Sequence, residues 1–163
     1  MKKIIIFSSI GILLLISILF FTFMYSGGEI EAIPKPEVTY ENGTALITID
    51  HINYLIHYLG GEKLRKIPFT DNNPKIEILL LQKQEYFTSE IKEGIQTTKT
   101  KISNPDIQIR LDENTLADLI KSEKTQEATT KAIENDKIGI TLYSGSTELF
   151  LKGYFKIYDK IKP

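Results

Sequence analysis

Two histidines, His51 and His57, are the side chains best suited to ligating a metal or moving a proton, and they stand six residues apart. On one helix that spacing turns them about 120° from each other, whereas a metal pair wants a spacing of four on a shared face. No metal site is expected from them. His51, next to Asp50 at an expected helix start, reads as an exposed first-turn residue. The segment "YSGST" around Ser144 and Ser146 lacks the Gly-x-Ser-x-Gly spacing of a nucleophile elbow. Gly60-Gly61 is not a phosphate loop, since no strand leads into it and no Gly-Lys-Ser follows. Asp and Glu are scattered as solvated faces, without an acid–base pair. Asn42-Gly43-Thr44 fits an N-glycosylation acceptor, a three-residue pattern that chance also produces. The chain therefore reads as a non-enzyme, with no catalytic residue, metal or cofactor.

What the sequence does carry is a strand-to-helix joint. In "NPDIQIRLDENTLADLI", residues 104–120, Ile107, Ile109 and Leu111 share one face at period two. Asp112 can then cap a helix whose Leu116, Leu119 and Ile120 form a stripe.

The elements that position this joint begin with an apolar run. Residues 4–25, "IIIFSSIGILLLISILFFTFMY", are 22 uncharged residues with only Ser8, Ser9, Ser17 and Thr22 as Ser or Thr. As a helix they would extend about 33 Å, enough for a bilayer core of about 30 Å. The run is longer than a secretory signal's apolar region and ends in Met24-Tyr25-Ser26-Gly27-Gly28, a poor cleavage site. Residues 1–28 therefore read as an uncleaved signal anchor, with the lipid bilayer as partner of residues 4–25. Lys2 and Lys3 precede the span and Glu29 and Glu31 follow it, which places the N-terminus in the cytoplasm and the remainder outside the cell membrane, single-pass. Residues 29–44 read as a Pro/Gly/Glu stalk, and residues 45–163 as one domain. Without Lys2 and Lys3, 18 basic residues face 21 acidic ones, a net charge of −3. No basic field is available for nucleic acid. The chain has no cysteine, so a lipidated cysteine, disulfides and redox chemistry drop out.

Within the domain, "TALITID" reads as a strand and "HINYLIHYLGG" as a helix capped by Asp50 and ended at Gly60 or Gly61. Three hairpin-linked strands follow at Lys75–Gln82, Tyr86–Lys92 and Ile95–Lys101. A fourth strand at Ile107–Leu111, helices at Glu113–Lys121 and Gln126–Glu134, and a fifth strand at 137–143 complete the pattern. The tail "STELFLKGYFKIYDKIKP" fits both periods. Helix is favoured, because Ser146 offers a cap and fifteen residues are long for a strand. The fold class expected is α+β, a five-stranded antiparallel sheet with helices on one face, preceded by one transmembrane helix.

This order of elements resembles the sterol-carrier-protein type-2 family of lipid-binding domains over residues 50–160. The resemblance lies in "YFTSEIKEGIQTTKTKISNPDIQIRLDENTLADLIKSE", with Lys92-Glu93-Gly94 at a strand turn and Pro105-Asp106 before the fourth strand. Glu113, Leu116, Ala117, Leu119 and Ile120 echo the family's helix pattern. Asn135-Asp136 stand where the family carries Gly at the entry to the fifth strand.

The resemblance implies an internal cavity for a small apolar ligand, a fatty acyl chain, isoprenoid or sterol-like molecule. Its candidate wall is Ile109, Leu111, Leu116, Leu119 and Ile120, with Phe150, Tyr154 and Tyr158 as a C-terminal lid. A tethered domain would hold or present such a ligand near its own bilayer. The alternative is an anchored extracytoplasmic interaction module with a solid core, pairing a partner at an edge strand such as Ile95–Lys101.

Overall fold

The computed structural model describes residues 33–161; the expected span at 4–25, and with it the anchor 1–28, lies outside the described residues. No helix among the described residues is long and apolar enough to cross a membrane. The first element among the described residues is a short hairpin, β1 (Tyr40–Glu41) and β2 (Thr44–Ala45), turned at Asn42-Gly43. Helix α1 (Ile49–Tyr58) follows. A meander of β3 (Lys75–Leu80), β4 (Glu85–Ile91) and β5 (Ile95–Thr98) comes next. Then come β6 (Ile107–Leu111), α2 (Glu113–Lys121), α3 (Thr125–Glu134) and β7 (Ile138–Leu142). Two short helices, α4 (Ser146–Lys152) and α5 (Phe155–Ile161), close the chain.

The five long strands form one sheet in the order β5-β4-β3-β6-β7. It is mixed rather than wholly antiparallel, because β6 runs parallel to β3, with Ile76 beside Ile107 and Leu80 beside Leu111. The cause is the crossover at 99–106. Two hairpins leave β5 running in the direction of β3, and the chain must return along the sheet before β6 begins. It does so over the face away from the helices, held by a buried carboxylate. Glu77 accepts hydrogen bonds from the Ile102 N–H (3.1 Å) and the Gln108 side-chain amide (2.7 Å). A buried carboxylate needs such donors, and Glu77 is 1% exposed.

The opposite face carries Ile76, Ile78, Leu80, Ile107, Ile109 and Leu111, all buried at period two. Helices α1 and α2 cover it with Ile52, Leu55, Ile56, Leu59, Leu116, Leu119 and Ile120. Each such side chain stabilises by about 1.5–3 kcal/mol relative to exposure. Asp112 caps α2 as its position in the sequence predicts, its carboxylate accepting from the Thr115 N–H (2.8 Å) and hydroxyl (2.7 Å).

Helix α1 differs from its expected start. Its cap is Thr48, not Asp50, and His51 is buried. The His51 ring explains this, because Nδ1 lies 3.1 Å from the Thr48 N–H and 2.7 Å from its hydroxyl, closing the first turn. "TALITID" likewise pairs only over Thr44–Ala45. At the entry to β7, Asp136 adopts a φ of 57°, the left-handed region that Gly fills most easily and Asp tolerates.

Candidate functional site

The fourth strand and the C-terminal helices meet around an open apolar groove of about 490 Å³. Its floor is the helix-side face of β6 and β7, with Ile107, Ile109, Ile140 and Leu142. The alternation of each strand sends these four side chains to one face and Gln108, Arg110 and Thr141 to the other. Ile133 of α3, Leu149 of α4, Tyr154, and Phe155, Ile157 and Tyr158 of α5 build the walls. The deep residues are buried, whereas Leu142, Phe155 and Tyr158 at the rim are about half exposed or a little more.

The tail folds as helix, in two pieces. Gly153 lies between α4 and α5 at a φ of 88°, a conformation that side-chain-bearing residues rarely adopt. This break decides which tail residues face the groove. Tyr154 and Tyr158 line it, whereas Phe150 points outward and stacks edge-on against Phe155, ring centroids 5.7 Å apart. A spacing of four keeps a common face only along one unbroken helix.

A buried polar latch seats α4. Lys152, the last residue of α4, is 0% exposed. Its ammonium donates to Asp106 (2.6 Å), Asn72 (2.8 Å) and Glu148 (2.9 Å). Asp106, at the entry to β6, also accepts from the Ser144 hydroxyl (2.8 Å), the Lys75 N–H (2.8 Å) and the Tyr154 hydroxyl (2.9 Å). All three ammonium protons are thus used, as a buried Lys requires. Lys152 holds the Glu148 carboxyl below the usual glutamate range. Burial, then the Asp106 charge and hydrogen bond, push the Tyr154 phenol far up, so it stays neutral and keeps donating. Outside the latch, Asn72, Lys75, Asn104, Ser144 and Glu148 border a polar recess of about 410 Å³. Among the described residues no three His, Asp or Glu side chains cluster to hold a metal.

Of the wall residues expected from the sequence, Ile109, Tyr154 and Tyr158 meet in the groove. Leu111 and Leu119 border a separate void of about 10 Å³, about the least that could hold one water. Leu116 and Ile120 lie fully in the packed core. The residues missed were Ile107, Ile133, Ile140, Leu142, Leu149, Phe155 and Ile157. Period two along "KIGITLY" already placed Ile140 and Leu142 with Ile138 on one strand face, so that part of the signal was in the sequence. Asp106 stands out in the sequence only beside Pro105 before the fourth strand, and Lys152 not at all.

No protein-family model matches the chain, and no curated protein matches it. Among solved structures, the chain is similar to a "UbiJ-SCP2 Ubiquinone synthesis protein", at a TM-score of 0.37 and 8% identity over 54% of this chain and 71% of that one. It is also similar to the stereoselective inverting sec-alkylsulfatase Pisa1 from Pseudomonas sp., at a TM-score of 0.37 and 8% identity. That match covers 69% of this chain and 16% of the sulfatase. A double mutant of the same sulfatase gives a TM-score of 0.38 and 11% identity, over 72% of this chain and 17% of the other. Likenesses at this level assign neither family nor activity, and the groove is read from its own residues.

Proposed function

We propose that the domain holds a small apolar molecule, a fatty acyl chain or an isoprenoid, in the groove between β6–β7 and α4–α5. The observation that carries this reading is the groove itself, about 490 Å³ and lined almost wholly by Ile, Leu and aromatic carbon. Ligand pockets fall at about 300–1,000 Å³ with mostly apolar walls and few polar groups. Of the two wall tyrosines, Tyr154 has its hydroxyl engaged with Asp106 and Tyr158 lies at the rim, and no acid–base pair lines the groove, so holding rather than converting is the role proposed. At about 0.8 kcal/mol per buried methylene, sixteen methylenes supply about 13 kcal/mol, and an association cost of about 5 kcal/mol leaves about 8, which corresponds to micromolar affinity. If residues 4–25 anchor the chain as their composition predicts, the ligand is a membrane lipid held close to the bilayer of origin. The element order shared with the sterol-carrier type-2 pattern agrees with this reading.

The test is titration of the full chain in detergent with a fluorescent fatty acid. Micromolar binding is expected, together with co-purified lipid in native mass spectrometry. Tyr158 is 59% exposed at the groove rim, so its replacement costs little stability. Tyr158→Asp is expected to weaken binding about tenfold, because a charge in an apolar wall is costly, while Tyr158→Phe binds as the natural chain does. No binding by the natural chain, or equal binding by Tyr158→Asp, would remove the reading.

A further inference from the structure

The two edges of the sheet are built differently. Edge strand β5 is four residues long and leads directly into Lys99 and Lys101. Lys99 is held by Glu85 at 2.8 Å, and Lys101 lies over the Tyr86 ring at 4.7 Å. Charged side chains, lysine above all, are how sheet edges resist pairing with another chain. Edge strand β7, "IGITL", is one residue longer, has no proline or bulge, and is flanked by a single lysine, Lys137, where β5 is followed by two.

The hydrogen-bond phase of β7 follows from one contact. The Tyr143 N–H donates to the Asp106 carbonyl at 2.8 Å, so in this antiparallel pair Tyr143, Thr141 and Gly139 direct their backbone groups at β6. Ile138, Ile140 and Leu142 direct theirs outward, where they bond nothing among the described residues. On the groove side Ile140 and Leu142 are 36% and 63% exposed, whereas Ile138 at the start of the strand is buried. Unpaired backbone groups and apolar side chains therefore coincide on one edge.

We propose that β7 pairs with the β7 of a second copy of this chain, antiparallel and centred on Ile140. The strand is complementary to itself in that register. Ile140 faces Ile140, and Ile138 faces Leu142, so every outward backbone group of the three residues meets a partner. On the groove face only apolar side chains meet. On the other face Lys137 falls beside Tyr143 of the second copy, a cation–aromatic pairing of the kind Lys121 already makes with Tyr40 at 4.3 Å. A parallel pairing would instead set Lys137 against Lys137 and Asp136 against Asp136. The interface makes one ten-stranded sheet and places each copy's Ile140 at the border of the other's groove. The pairing goes beyond the ligand reading and stands without it.

The natural chain has no cysteine, so single-cysteine variants report one contact each. The full chain in detergent, carrying either Ile140→Cys or Thr97→Cys on β5, is oxidised and followed by non-reducing gel electrophoresis. Ile140→Cys is expected to cross-link about tenfold faster, because facing Cα atoms in such a pair lie about 5.5 Å apart, within disulfide range. Adding Leu142→Pro deletes an outward donor and no bond to β6, and should reduce the rate to that of Thr97→Cys while far-ultraviolet circular dichroism stays unchanged. Equal rates for the two cysteines would overturn the proposal, because the apolar run at 4–25 could bring chains together without β7. Monomers alone in sedimentation equilibrium would overturn it as well, whatever the fatty acid titration shows.

Discussion

Under α1 and α2 the sheet face is filled. Leu55, Leu59, Leu111 and Leu119 border a void of about 10 Å³, and Leu116 and Ile120 beside them are fully buried. Under α4 and α5 the same face, at Ile107, Ile109, Ile140 and Leu142, borders about 490 Å³. The strands are equally apolar on both sides, so the difference comes from the helices. Helices α1 and α2 are ten and nine residues long and send whole apolar stripes into the sheet. Helices α4 and α5 are seven residues each and are broken from one another at Gly153. Two short helices cannot fill the space that one long amphipathic helix would. They stay in place because Lys152 binds Asp106, and polar docking at one end allows the other end to remain open.

Breaking the latch should have the largest effect. Lys152→Met leaves Asp106 buried without its cation, and loss of one partner from a buried pair costs about 3–5 kcal/mol. Urea denaturation of the full chain measures it. A loss comparable with that of an exposed ion pair, below about 1 kcal/mol, would show that apolar packing and not the latch seats α4.

The packing contrast itself can be sharpened with one truncation in each half. Leu116→Ala in the filled half should cost about 2–5 kcal/mol, since a cavity opens where none existed. Tyr158→Ala, at the groove rim, should stay within about 0.5 kcal/mol. Thermal melts of both variants decide it, and equal losses would mean that the groove wall is packed as tightly as the core.

The smallest effect belongs to the joint that the two halves share. Partial burial raises the Asp112 carboxyl, but the Thr115 hydroxyl and the backbone N–H groups of Thr115 and Asn114 outweigh it, and the net position is below the ordinary aspartate value. A depressed folded-state value stabilises the fold above the unfolded value and loses that contribution as pH falls through the folded one. Asp112→Ala should therefore cost about 0.5–2 kcal/mol at neutral pH, with the difference from the natural chain shrinking below about pH 4. Asp112→Asn should be near neutral at pH 7, since Asn caps equally well. Denaturation at pH 7 and pH 3 reads both, and a deficit for Asp112→Ala that persists unchanged at pH 3 would assign the cap to something other than the carboxylate.

Much of the fold was legible because local signals agreed. Ile107–Leu111 and Glu113–Lys121 begin and end where periodicity and the Asp112 cap place them. The meander and α3 shift by one to three residues at their ends. The direction of β6 was not legible, since nothing within "IQIRL" distinguishes a parallel from an antiparallel neighbour. That choice lies in the return of residues 99–106 across the sheet, anchored on Glu77. The groove was legible in part. Tyr154, Tyr158 and Ile109 were in view, but Phe150 was placed with them by assuming one continuous helix across Gly153.

By itself, the sequence determined the elements, because helix caps, turns and the alternation of strand side chains are set by residues a few positions apart. It also determined that Ile107, Ile109 and Leu111 would share one strand face, since period two fixes which side chains of a strand point the same way. Only the tertiary structure decided which walls enclose space. Leu111 and Ile109 sit on the same face of one strand, yet Leu111 borders only the void of about 10 Å³ and Ile109 reaches the groove. The difference is made by contacts between segments far apart in the chain. Lys152 reaches Asp106 across 46 residues, and Ile102 reaches Glu77 across 25. Neither reach can be read from a neighbouring residue.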